Sequence, residues 1–121
     1  MAEARLRAFL AQWGPDVAAA AGDATPPEFL AQCEAFLDVA PAAVSSIMGL
    51  YPAGVVERLK ARRIAWFATV TTLDEALAAQ AAGADAVIAQ GVEAGGHRGA
   101  FDPAAAERQT VGLVALVPRL A

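Results

Sequence analysis

The stretch GADAVIAQGVEAGGHRGAFD, residues 83–102, carries the chain's only histidine, His97, among Gly91, Gly95, Gly96 and Gly99. An imidazole with an ordinary pKa of about 6.5 can take or hold a proton near neutrality. Gly95 and Gly96 remove two Cβ atoms side by side, so backbone N–H groups there can approach a flat or anionic ligand. Gln90 offers both a donor and an acceptor, as a heterocycle with carbonyls and ring nitrogens requires. The same glycines would also build a plain turn with His97 on its surface, so spacing alone leaves two readings open.

Several other chemistries fail on the residues themselves. The string GVEAGGHRG does not fit the G-x-G-x-x-G dinucleotide fingerprint, has no acidic residue at the offset beyond it, and is not a P-loop. His97 with Glu93 and Asp102 is too poor in ligands for a metal site, so none is expected.

A scaffold must hold these residues, and the chain supplies one in alternating runs. The spacing predicts a helix over residues 4–13, a turn-rich segment, and a second helix capped by Thr25 with Pro26 at its first position. That helix places Phe29, Leu30, Cys33, Phe36 and Leu37 on one face. Strands are expected over 42–49, 64–70 and 84–90, separated by amphipathic helices over 53–63 and 71–83. Thr72 and Glu75 make a capping box, and Gly83 a C-terminal stop. VGLVALVPRLA is read as the start of another helix. Strand, helix, strand, helix, strand with continuous apolar strands predicts an α/β fold, its parallel sheet covered on both faces. Ligands bind beyond the carboxyl ends of such strands, which is where residues 90–99 begin.

The 121 residues suffice for one domain with a modest core, and a hydrophobic share of 57% argues for packing and against disorder. Thirteen acids against nine bases give a net charge of −4, with no nucleic-acid footprint. The one basic cluster, Arg58, Lys60, Arg62 and Arg63, reads as a solvated helix face. Cys33 is the only cysteine, which excludes an internal disulfide and suits a reducing, cytoplasmic setting. The first residues lack the apolar core of a signal peptide, and no run approaches a membrane span. Three parallel strands leave two open edges, and a complete (β/α)8 barrel takes about 250 residues, so a piece of a larger domain is expected.

The string AQGVEAGGHRG resembles the signature of the nitronate monooxygenase (2-nitropropane dioxygenase) family, and the resemblance runs from about Val44 to the C-terminus. It implies a central piece of an FMN-dependent TIM (β/α)8 barrel that oxidises alkyl nitronates, such as propionate 3-nitronate, or nitroalkanes with dioxygen. By that resemblance His97 is the catalytic base, Gln90 and Gly95 contact the flavin, and Gly96 belongs to the same approach surface. Glu93 and Arg98 match the string as loop-shaping or surface charges. Many family members carry an aromatic or polar residue after the serine of the strand matching VSSIMG, where Ser46, Ile47 and Met48 stand instead. Also missing are the family's N-terminal strands and the glycine-rich segment that holds the FMN phosphate. Two alternatives stand beside this reading: an FMN-dependent enoyl-ACP reductase, which shares an E-A-G-G-H string, and a truncated, non-catalytic fragment.

Overall fold

The computed structural model describes residues 2–15 and 25–121. Each apolar run becomes a strand paired in parallel with the next. β1 (Ala43–Ser46), β2 (Ala65–Val70) and β3 (Ala86–Ala89) lie in the order β1-β2-β3. The helices are α1 (Ala2–Leu10), α2 (Phe29–Val39), α3 (Ala53–Ala61), α4 (Leu73–Ala81) and α5 (Leu113–Leu120). The expected order is therefore present, with every element shorter than its apolar run. Part of the turn-rich segment before α2 lies outside the described residues.

The differences have local causes. α1 ends at Leu10 because Gln12 N–H bonds Phe9 O and Trp13 N–H bonds Leu10 O, a tightening into three-residue turns. α2 is capped by Glu28, whose carboxylate accepts from Ala31 N–H at 2.8 Å, and not by Thr25. Consecutive prolines disfavour helical backbone in the residues before them, so the start moves past Pro27. β1 stops at Ser46 because Met48 and Gly49 turn through φ of 64° and 140°.

Alternate residues of a strand face opposite sides of the sheet. In the observed register Trp66, Ala68 and Val70 share the side packed by helices and are fully buried. Ser45, Phe67, Ala86 and Ile88 share the other side and are exposed. The expectation of a sheet covered on both faces is thus corrected. An apolar run reports that both faces of a strand avoid water, but not what covers each of them.

The core is anchored on Trp66. Its indole N–H donates to Ser46 Oγ at 3.0 Å, and its ring lies 5.5 Å from that of Tyr51. Tyr51 in turn stacks on Phe29 and meets Phe36 edge-on, while its hydroxyl donates to Ser45 O at 2.7 Å. Cys33, Leu37, Val55, Val56, Leu59 and Ile64 complete this cluster. Phe29 and Leu30 remain about half exposed, so only part of the predicted α2 face is inward.

The basic cluster does more than face solvent. Arg58 pairs with Glu34 of α2, Arg62 donates to Leu37 O, and Lys60 reaches Asp85 at 2.6 Å. Asp85 also accepts from Trp66 N–H at 2.8 Å, which sets the start of β3 against β2. Lys60 first, then the Trp66 N–H, hold the Asp85 carboxyl below its ordinary range. A lowered folded pKa gives stability that is complete above the unfolded value of about 3.9 and fades as pH falls through the folded one. Asp85→Asn should therefore destabilise the chain at pH 7 and much less at pH 3, measured by urea unfolding at both. The effect is modest, since both side chains are more than 40% exposed.

Candidate active site

Residues 90–112 connect β3 to α5 without a strand or helix, and side chains supply the order. Gln90 N–H donates to Val70 O at 2.9 Å, extending the ladder by one residue. Its side-chain amide then grips the loop twice: Nε2 donates to His97 O at 3.0 Å, and Oε1 accepts from Gly99 N–H at 2.7 Å. Arg98 reaches into the loop, donating to Gly91 O at 2.9 Å and Gln109 O at 2.6 Å. Val92 N–H to Val111 O at 2.9 Å closes the base.

Glu93 caps a helix twenty positions away. α5 begins after Gly112, which has no side chain to serve as a cap, and the Glu93 carboxylate accepts from Leu113 N–H at 3.0 and 3.2 Å. The N–H groups of Glu93 itself and of Leu113 hold this carboxyl below the usual range. Glu93 and Arg98 are thus loop-shaping residues. The helix N-terminus nearest the site, a natural place for an anion, is filled by the chain's own carboxylate.

The glycines fall into two groups. A Cβ on Gly91 would stand 2.6 Å from Leu113 N and 2.7 Å from Leu113 Cβ, and would also meet Glu93. One on Gly99 would lie 3.2 Å from Gln90 Oε1, Ile47 and Thr69. These two are bare because the loop packs there. A Cβ on Gly95 or Gly96 would meet nothing within 4 Å, and Gly96 has a φ of +78° that side chains disfavour.

An open depression of about 530 Å³ lies at the carboxyl ends of β2 and β3, lined by Thr69, Ile88, Gln90, Gly91, Glu93 and Leu113 among others. Gln90 is the one predicted site residue on its wall. Gly95, Gly96 and His97 stand exposed on the loop beyond it, and His97 is joined to Gln90 only through its own carbonyl. One buried acid escaped the sequence reading. Glu75 is capped as expected, its N–H donating to Thr72 Oγ1 at 3.2 Å, but its carboxylate reaches Thr71 and Phe101 rather than closing the box on Thr72. Among the described residues, no group of three or more His, Cys, Asp or Glu is placed to hold a metal ion. No helix among them is long and apolar enough to cross a membrane.

Residues 6–121 match the family model described as nitronate monooxygenase. The chain belongs to the nitronate monooxygenase family. A nitronate monooxygenase of Paraburkholderia phytofirmans is 53% identical over 68 residues, covering 56% of this chain and 19% of that protein. One of Pseudomonas aeruginosa is 48% identical over 85 residues, covering 70% of this chain and 24% of the relative. The solved nitroalkane oxidase of Streptomyces ansochromogenes superposes with a TM-score of 0.70 at 40% identity, over 76% of this chain and 27% of its own. The chain therefore spans about a quarter or less of the curated relatives it matches. With that neighbour and its parallel order, the fold is a partial (β/α)8 barrel.

The two kinds of glycine predict different responses to the same methyl group. Gly91→Ala should cost about 1–3 kcal/mol through overpacking against Leu113. Gly95→Ala should stay within about 0.5 kcal/mol. Urea unfolding of both variants measures the contrast, and equal losses would contradict it.

Proposed function

We propose that this chain supplies the proton-handling loop of an FMN-dependent nitronate monooxygenase, with alkyl nitronates or nitroalkanes and dioxygen as substrates. The supporting observation is the bare backbone of Gly95–Gly96 beside His97, on a loop held to the strand end by Gln90. That arrangement fits a flat ring system: the position where each Cβ would stand is open, and the glycine amides carry no side chain to fend a ring off. FMN, when bound, supplies electron acceptance and the route to dioxygen.

The chain's own residues do the rest of the chemistry in this reading. The carbon next to a nitro group is acidic, and the exposed imidazole of His97 removes its proton from a nitroalkane or orients an anionic nitronate. Gln90 has one amide N–H and one lone pair left after its two loop bonds, enough for one further polar contact to the ring. The FMN phosphate is not assigned to α5, whose first turn Glu93 already caps. Activity is assigned to the whole barrel, and the chain alone is expected to turn nothing over. A reducing, cytoplasmic setting suits the buried free thiol of Cys33.

The test uses the Pseudomonas aeruginosa relative with its matching 85-residue segment replaced by this chain's. The chimera should take up oxygen with a nitronate. His97→Asn should lower turnover of a neutral nitroalkane by about 10²–10⁴-fold, the usual worth of a general base, and affect a preformed nitronate less. Unchanged nitroalkane turnover would remove His97 from that role.

A further inference from the structure

We propose that Glu75 is a positioning residue for the His97 loop, acting as a two-ended staple from α4 to the loop's far side. Glu75 is buried, with 6% of its surface exposed. One carboxylate oxygen accepts from Thr71 N–H at 2.6 Å and Thr71 Oγ1 at 2.8 Å. The other accepts from Phe101 N–H at 2.8 Å. Thr71 follows β2 directly, so the staple ties the loop to the end of the central strand, and Ala100 beside it is buried.

The position of this bond gives it a consequence for His97. Gln90 holds the segment at His97 O and Gly99 N–H, on the β3 side. Glu75 holds it two residues later, at Phe101 N–H, on the β2 side. With both ends of residues 97–101 pinned to neighbouring strands, the imidazole is presented from a fixed base. A carboxylate suits this work because all three incoming partners are donors, and an ionised acid offers acceptors only. Neither a shorter acid nor an amide can reproduce it. Aspartate cannot span both ends, and glutamine turns its NH2 toward one of the donors.

The inference rests on the functional reading above only for its catalytic meaning; the staple itself is tested without flavin. In the 121-residue chain, Phe101 N–H should be protected from hydrogen exchange by at least about tenfold over the exposed Gly95 N–H, although residue 101 lies outside any helix or strand. Absence of that protection in the unaltered chain would overturn the proposal, whatever the variants do. In Glu75→Gln and Glu75→Asp, Phe101 should lose this protection while Ala68 and Val70 in β2 keep theirs. Because His97 is the only histidine, its ring proton resonances report the loop directly. They should shift or broaden in both variants. Unmoved resonances, or an Asp variant matching the parent, would overturn the positioning role and leave Glu75 as a structural link between α4, Thr71 and Phe101.

Placed in the chimera, Glu75→Gln should lower kcat for a nitroalkane more than it raises KM. Loss of the staple with unchanged kcat would end the positioning role. A chimera that never takes up oxygen would instead refute the functional reading and leave the exchange results to decide the staple.

Discussion

A loop of some twenty residues without regular structure must satisfy its backbone polar groups by other means, and that requirement organises the carboxyl end of this sheet. Local turns meet part of it, and long side chains reach across the loop for the rest. Gln90, Arg98, Glu93 and Glu75 direct their hydrogen bonds at backbone atoms of the loop and its flanks, and each joins points distant in sequence. Every one is long, with its polar group at the end of a flexible stem, so a single residue bridges two strands of chain. The loop therefore behaves as part of the scaffold. Its polar side chains are spent largely on shape, which leaves His97, the glycine pair and the unused half of the Gln90 amide free to face a ligand.

That division accounts for the glycine content better than any single cause. Gly91 and Gly99 are bare because Leu113, Ile47, Thr69 and the Gln90 amide occupy the space a methyl group would need. Gly96 is bare because its backbone turns through a positive φ. Among the loop's glycines Gly95 alone has neither constraint, since nothing crowds it and no positive φ is imposed. A residue without an internal reason to be glycine is the strongest internal pointer to something outside the chain.

Much of this was legible from residue order. The apolar runs located all three strands, and the amphipathic helix expected over 53–63 is present with Val55, Val56 and Leu59 buried. Thr72 caps α4, and Gly83 follows it with a φ of 92°. What escaped detection was long-range. Apart from the α2 cap, which moved locally from Thr25 to Glu28 past the two prolines, Glu93 capped a helix it does not adjoin, and Glu75 left half of its box to reach Phe101. Local spacing rules weigh near neighbours, whereas these carboxylates found the nearest unpaired N–H groups in space. The basic residues Arg58, Lys60 and Arg62 do face solvent as expected, and their added partners Glu34, Leu37 and Asp85 lie about twenty-five positions away, beyond the reach of local spacing.

The sheet's two faces show how far the chain is adapted to a larger architecture. Trp66, Ala68 and Val70 are sealed beneath helices, while Phe67 and Ile88 lie on the open side with 37% and 44% of their surface exposed. In a closed (β/α)8 barrel the second set points inward and is buried by strands across the axis. Both are already more than half buried, so closing over the surface that remains is worth about 0.5–1 kcal/mol each. The same closure would bring opposing strand ends over the depression that Gln90 lines. The stability the open face lacks and the ligand enclosure the loop lacks thus have one remedy. In the proposed reading, an enclosed ligand at this loop and a settled inner face arise together, when the rest of the barrel is present.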